Sequence, residues 1–192
     1  MASIKLTGDT SGEITISAPA VAGTNTLTLP AETGNIITND TSGTILQVVS
    51  TTKTDAFSTT STSMTDITGL SVSITPISTS NKILVTGNIV SSHSNDKLSY
   101  FNLVRDSTNI CTSTGASSLN LTVFQDTEAF SDFDRALLHI PINFLDSPST
   151  TSSTTYKMQI QTTENTVFVN RRGLNSAVGA TSTITVMEIA GW

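Results

Sequence analysis

Hydrophobic and polar residues alternate in many short runs along this chain, and residues that favour turns separate the runs. Such alternation is typical of β-strands with one buried face, and no run shows the period of an amphipathic helix. From about residue 66 the runs become regular, with turn signals such as "ISTSN" and "LDSPSTTSS" between them. We predict eight strands in this region: Leu70–Thr75, Lys82–Ser91, Leu98–Arg105, Leu119–Phe124, Arg135–Leu145, Thr155–Thr162, Thr166–Asn170 and Ser182–Ile189.

Eight strands at this spacing predict an antiparallel β-sandwich, most simply a jelly roll. The predicted fold class is therefore all-β, with an extended N-terminal arm before the sandwich. We place the arm at residues 1–50, a Ser/Thr-rich linker at 51–65 and the sandwich at 66–192. The apolar run Ile45–Val49 fits a short helical turn, a strand, or an apolar patch in a solvated linker.

The arm is divided by glycine and proline residues, so that only short strands fit between them. Two runs alternate as strands do, "EITIS" at residues 13–17 and "TLTLP" at residues 26–30. An isolated two-stranded hairpin is marginal in water, so the arm needs another surface against which to bury its aliphatic side chains. The predicted docking residues are Ile14, Ile16, Leu27, Leu29 and Ile36.

Two predicted strands of the sandwich carry apolar residues on both faces. In the strand from Arg135, one face alternates as a core does, with Ala136, Leu138, Ile140, Ile142 and Phe144, and the other face is mixed. A monomer would leave the mixed faces partly apolar and exposed, whereas the contacts of homo-oligomers are more apolar than ordinary surface. We therefore predict a homotrimer whose interface contains Leu137, His139, Leu145, Met187 and Ile189.

Composition narrows the classes of function. Ser and Thr account for 63 of the 192 residues, charged residues for 12%, and the net charge is −6. A surface of that sign opposes binding to nucleic acid, because neutralising phosphates needs clustered Lys and Arg. A single cysteine, Cys111, excludes an internal disulfide and a thiolate zinc site. The sequence shows neither a secretion signal nor a membrane span, so we expect a soluble protein, made in a cytoplasm, without membrane insertion.

The chemistry that the sequence offers is that of binding loops. The acidic run "QDTEAFSDFD" could hold a carboxylate pair for glycoside cleavage or oxygen ligands for calcium, but it does not match an EF-hand loop. No nucleophile elbow, phosphate loop or metalloprotease motif is present, so we expect neither an enzyme nor a cofactor. Loops on a rigid sandwich commonly carry binding. The candidate receptor-contact residues are Asp126, Phe130, Asp132, Phe133, Arg171 and Arg172.

Two regions of the chain, the arm and the predicted sandwich, resemble a known group of proteins. The segment "GEITISAPAVAGTNTLTLPAETGNII" resembles an N-terminal segment of tail-fibre and other virion structural proteins of tailed bacteriophages, notably those of cyanobacteria and marine bacteria. The stretches "STSNKILVTGNI", "FNLVRDSTNI", "VFVNRRG" and "STITVMEIAG" look like the trimeric β domain that often follows it. These motifs indicate a virion protein, but they do not indicate any catalytic activity.

The resemblance implies a tail fibre or similar appendage subunit, assembled in the host cytoplasm and carried on the virion. It implies partners of three kinds: two further copies of the chain, a tail or capsid protein held by the arm, and a host surface glycan or protein. Two alternatives stay open. One is a capsid decoration or head-fibre protein with the same architecture, and the other is a small depolymerase of envelope glycans that uses the acidic loop.

Overall fold

In a computed structural model of the chain, the described residues are 3–8, 10–17, 20–21, 23–24, 31, 42–94, 97–115, 121–125 and 133–191. The chain divides into two compact units, Met1–Ile36 and Ile37–Trp192. In the described part of the chain every strand pairing is antiparallel, and the single helical segment is a 3₁₀ turn at Phe133–Arg135.

The first unit contains a β-hairpin. Strand β1 (Ser3–Thr7) pairs with strand β2 (Glu13–Ser17). Gly12 adopts a φ of 83° in the connecting turn, a conformation that glycine reaches without steric cost, and its carbonyl accepts a hydrogen bond from Gly8 N at 3.1 Å. The structure thus confirms a strand at "EITIS" and adds "SIKLT" as its partner, while the predicted strand at residues 26–30 lies outside the described residues.

The second unit is a β-sandwich. Its described strands are β3 (Ile45–Lys53), β4 (Phe57–Thr59), β5 (Thr65–Ile74), β6 (Lys82–His93), β7 (Ser99–Arg105), β8 (Thr108–Ile110), β9 (Val123–Gln125), β10 (Leu138–Asp146), β11 (Thr154–Thr162), β12 (Val167–Val169) and β13 (Ser182–Ile189).

The order of the strands is that of a jelly roll. The first sheet places β3, β13, β6 and β10 side by side, and β12 and β4 extend it beyond the end of β13, next to the last residues of β6. The second sheet places β5, β11 and β7 side by side, with β8 and β9 both along the free edge of β7. When β8 and β9 count as one position and the short strands β4 and β12 are left out, eight positions remain. Numbered in chain order, they form sheets 1-8-3-6 and 2-7-4-5. The predicted all-β sandwich is confirmed.

One continuous apolar core lies between the two sheets. The core forms there because successive side chains of a strand point to opposite faces of the sheet. In β11 every second residue is buried, and Tyr156, Met158 and Ile160 are 1% exposed or less. Three residues of the predicted core face of β10 are confirmed, because Ile140 and Ile142 are buried and Phe144 packs against the core. Leu138 is half-buried, and Ala136 precedes the strand.

The division of the chain differs from the predicted one. Strand β3 pairs with β13 along its length, from Lys53 opposite Ser182 to Ile45 opposite Ile189, and β4 pairs with β12. The sandwich therefore includes residues that we assigned to the arm, up to residue 50, and to the linker at 51–65. The physical reason is the position of β3 at the edge of its sheet, where Ser and Thr serve as outward residues and weaken the apolar signal.

Candidate interaction surfaces

The outer face of the first sheet carries a row of apolar side chains. Strand pairing sets Val48 opposite Met187, Met187 opposite Leu84, and Leu84 opposite Leu145. Neighbouring strands lie about 4.8 Å apart, so these four residues, which we call the apolar row, cross the sheet in roughly 14 Å. Val48 is 55% exposed and Leu145 is 44% exposed, and the other two are half-buried. The row is therefore a surface that a single chain leaves in water.

The remainder of this outer face is almost free of charge. Two further cross-strand rows consist of hydroxyl, amide and proline side chains, and Ser50 Oγ lies 2.8 Å from Thr185 Oγ1. Among the outward residues of β3, β13, β6 and β10, all of which the structure describes, none is a carboxylate and Lys82 is the sole ammonium. The outward residues beside the apolar row are Ile45, Ser50, Thr52, Lys82, Thr86, Asn88, His139, Pro141, Asn143, Thr183, Thr185 and Ile189.

The structure brings four of the five predicted interface residues onto this outer face. Leu145 and His139 are exposed there, and Met187 and Ile189 are half-buried. His139 Nδ1 lies 3.0 Å from Asn88 Nδ2. Leu137 is half-buried and precedes the first residue of β10.

Sequence reasoning missed two members of the apolar row. Val48 belongs to the run Ile45–Val49, for which the sequence leaves a helical turn, a strand and a solvated linker as alternatives. Leu84 was overlooked because Ile83 and Val85 on either side of it mark the other, buried face of β6. Both residues could have been found by looking for an apolar residue at an outward position of a strand whose neighbouring outward positions are polar.

A well-held loop follows β12, and we call its residues Arg171–Gly179 the tip loop. Arg171 and Gly179 form a β-bridge, and Arg172 N donates to Val178 O at 3.2 Å. At the far end, Asn175 Oδ1 accepts hydrogen bonds from Ala177 N and from the Arg172 guanidinium. These bonds fix the backbone, while Leu174 remains 48% exposed and Val178 42% exposed.

The tip loop packs tightly on the end of β6. A side-chain carbon at Gly173 would lie 2.0 Å from the carbonyl oxygen of His93, a distance that excludes any residue but glycine without a shift. His93 itself is fully buried and bonds through Nε2 to Thr162 Oγ1 at 2.7 Å. The Arg171 guanidinium stacks 4.3 Å from the centre of the Phe168 ring.

The structure joins the two candidate receptor loops at one point. Leu174 N donates to the carbonyl oxygen of Asp134 at 2.8 Å, so the end of the acidic run lies beside the tip loop. Arg172 Nε and Asp134 Oδ1 are buried atoms with no hydrogen-bond partner among the residues that the structure describes. Phe133 is described through its backbone alone, in the 3₁₀ turn. The other candidates in the run, Asp126, Phe130 and Asp132, lie outside the described residues.

The hairpin of the first unit has one wholly aliphatic face. Ile4 pairs with Ile16 and Leu6 with Ile14, and these side chains are between 46% and 68% exposed. The opposite face is polar and contains an ion pair between Lys5 Nζ and Glu13 Oε1 at 2.9 Å. Ile14 and Ile16 were predicted for the arm, and the structure adds Ile4 and Leu6. The remaining predicted docking residues, Leu27, Leu29 and Ile36, lie outside the described residues.

Buried charged groups within the sandwich have structural partners. The Asp146 carboxylate accepts hydrogen bonds from Arg105 Nη1 at 2.8 and 2.9 Å and from the Tyr156 hydroxyl at 2.7 Å. Burial, and then this bond to Asp146, raise the pKa of Tyr156 far above its usual range. Glu188, which is 0% exposed, accepts from Asn81 Nδ2 at 2.6 Å and from Ile77 N at 2.7 Å.

Two exposed carboxylates are paired with lysines. The Lys53 ammonium donates a hydrogen bond to Asp55 and lowers the pKa of that carboxyl group. The Lys157 ammonium does the same for Asp66 at 2.7 Å. The described residues contain no cluster of three or more His, Cys, Asp or Glu that could hold a metal ion. None of the helical segments in the described part of the chain could cross a membrane.

Comparisons with known proteins give structural neighbours alone. No protein-family model matches the sequence, and no curated protein matches it. Matching solved structures include the infectious bursal disease virus Gx strain, at 19% identity and a TM-score of 0.37 over 98% of this chain and 51% of that chain. T=1 particles derived from infectious bursal virus match at 18% identity and a TM-score of 0.38, over 97% of this chain and 44% of that chain.

A third neighbour is the VP2 subviral particle of infectious bursal disease virus, at 18% identity and a TM-score of 0.37, over 95% of this chain and 49% of that chain. The chain thus spans about half the length of the solved chains that it matches. Similarity at these TM-scores carries no argument about this chain, and the assignment of the fold rests on its own strand pairing.

Proposed function

We propose that the protein is a bacteriophage virion structural protein, a subunit of a tail fibre or similar appendage. It forms homotrimers through the outer face of the first sheet, docks on the particle through its N-terminal arm and contacts the host surface through its C-terminal domain. Its action is binding, without a catalytic step. The observation that carries the assembly is the apolar row, and the virion context comes from the sequence resemblance.

The charge of the outer face supports self-association. The chain has a net charge of −6, so that two copies repel each other over most of their surfaces. The outer face carries one lysine at its edge and no carboxylate, so like faces can meet without like charges in contact. An apolar centre depleted of charged residues is also the typical composition of an interface core.

The position of the tip loop supports a separate contact function. Leu84 of the apolar row lies near the start of β6, whereas Gly173 of the tip loop packs on His93 at its end. Nine residues of strand separate the two points, a distance of roughly 30 Å. An assembly that buries the apolar row therefore leaves Leu174 and Val178 free to meet a host glycan or protein.

A trimer can bind the host surface firmly even when each tip loop binds weakly. Binding of one loop turns binding of the next into an intramolecular event, so overall affinity rises without a deep pocket. A capsid decoration protein would use the same surfaces with its arm on the capsid, and imaging of the particle separates the two positions. A glycan depolymerase would depend on the acidic run, whose residues 126–132 lie outside the described residues.

The apolar row is tested by a charge placed within it. In Leu145→Glu, assembly would bury three carboxylates against aliphatic side chains, and we expect the variant to sediment as a folded monomer while the wild type has three times the chain mass. Analytical ultracentrifugation gives the mass, and circular dichroism checks the fold. The matched control is Leu174→Glu, which adds the same charge at a similarly exposed leucine in the tip loop and should remain trimeric. A monomeric wild type, or a trimeric Leu145→Glu variant, would contradict the proposal.

A further inference from the structure

We propose that the aliphatic faces of the β1–β2 hairpins from three copies pack against one another and form a second, separate assembly element. This inference rests on the proposed homotrimer. It assigns the hairpin to contacts between copies of this chain and leaves contact with the particle to later residues of the arm.

The hairpin cannot bury its aliphatic face within itself. Ile4, Leu6, Ile14 and Ile16 all point to one side, as the register requires, and none of them is less than 46% exposed. The other side carries polar residues, Lys5, Thr7, Glu13, Thr15 and Ser17. A two-stranded hairpin with this pattern gains stability when another apolar layer covers it.

The charges of the hairpin favour a copy of itself as that layer. Lys5 and Glu13 already form an ion pair, and the aliphatic face contains no charged or hydrogen-bonding side chain. The hairpin therefore offers no unpaired charge among its strand residues for a partner of opposite sign to recognise. An identical aliphatic face fits it without like-charge repulsion, although the whole chain carries a charge of −6.

The proposed trimer would bring the hairpins together at high local concentration. The chain between Ser17, the last residue of β2, and Ile45, the first of β3, ties each hairpin to its own sandwich domain. Three hairpins held in this way meet as parts of one assembly, so a modest aliphatic contact suffices for association. The aliphatic residues Leu27, Leu29 and Ile36 follow later in the sequence and remain for docking on the particle.

Disulfide cross-linking of the full-length chain tests the inference. Cys111 is the single native cysteine, so the background is Cys111→Ser. In that background, Ile14→Cys and Ile16→Cys place a thiol on the aliphatic face, whereas Thr15→Cys, the residue between them, places it on the polar face. The purified proteins are oxidised mildly without any particle component, and dimers are counted on non-reducing gels over a dilution series.

We expect at least one of the two aliphatic-face variants to form disulfide dimers to an extent that does not change on dilution. Because a trimer has three thiols, about two thirds of the chains can pair, and Thr15→Cys should pair at least about fivefold less. Equal cross-linking on both faces, or none on the aliphatic face of chains that sediment as trimers, would overturn the inference alone. If the chains sediment as monomers, the proposed homotrimer is wrong, and this inference, which rests on it, is wrong as well.

Discussion

At the residue scale, Asp146 links the two sheets. It ends β10 in the first sheet, and its partners Arg105 and Tyr156 belong to β7 and β11 in the second. A carboxylate that is 6% exposed requires such partners, because an unpaired buried charge is costly. The three side chains therefore hold the sheets in one relative position at this end of the sandwich.

Tyr156→Phe should weaken this link without opening a large cavity. Loss of a hydrogen bond to a charged acceptor should lower the free energy of unfolding by about 1.5–3 kcal/mol at neutral pH. The raised pKa of Tyr156 gives a second signature, since its contribution to stability is complete below pH 10.0, the pKa of an unperturbed tyrosine, and declines above it. Urea unfolding at neutral pH and at several values above pH 10 measures both. An unchanged stability, or the same alkaline decline in variant and wild type, would contradict this role.

The sequence predicted which residues are buried far better than it could predict which polar residues form hydrogen bonds with one another. The period of two placed Ile140 and Ile142 in the core, because a strand has just two faces. The Asp146 link could not be predicted, since Arg105 lies 41 residues away and Tyr156 lies 10 residues away along the chain. Which of these strands face each other depends on the sheet order, which no local pattern contains.

At the scale of elements, the tip loop is held on the sandwich by a close approach and a hydrogen bond, in addition to the bonds within the loop. Gly173 packs on the His93 carbonyl, and Leu174 bonds to Asp134 from a different part of the chain. The loop therefore presents Leu174 and Val178 from a fixed backbone, which reduces the conformational entropy lost when a partner binds.

Gly173→Ala should displace the tip loop. The added carbon would lie 2.0 Å from a backbone oxygen, so the loop must move, at a cost of about 1–3 kcal/mol in unfolding free energy. The matched control is Gly179→Ala in the same loop, where the added carbon would lie at an ordinary 3.5 Å from Asn170 O. Urea unfolding and the rate of proteolysis within the loop compare the two. Equal stability and equal cleavage in both variants would show that the close approach does not hold the loop.

Long strands with clear alternation could be predicted from the sequence, whereas a very short strand and a strand among Ser/Thr tracts could not. The long strands β6, β10, β11 and β13 contain enough alternating apolar and polar residues to be predicted as strands. Strand β4, with three residues, is too short for a period to show. Strand β3 is long, but its outward Ser50 and Thr52 resemble the Ser/Thr tracts around it, so its membership in the sheet depended on pairing with β13.

At the scale of the whole molecule, the proposed function depends on separate surfaces with separate tasks. The outer face, with its apolar row and a single lysine, and the aliphatic hairpin face suit copies of the chain, whereas the tip loop combines exposed apolar residues with arginines. The sequence predicted four residues of the outer face, including Leu145 and Met187, but it could not show that they adjoin Val48 and Leu84. That row exists because the register of four strands brings one apolar position from each into line.

Imaging of whole virions by cryo-electron microscopy tests the central proposal most directly. We expect density for three copies of the chain around a threefold axis, with the outer faces of their first sheets turned toward one another and the tip loops directed away from the particle. Density at the tail would support host attachment, and density on the capsid lattice would assign the same trimer to decoration. Virions without this chain, or single copies with the apolar row facing solvent, would contradict the proposal.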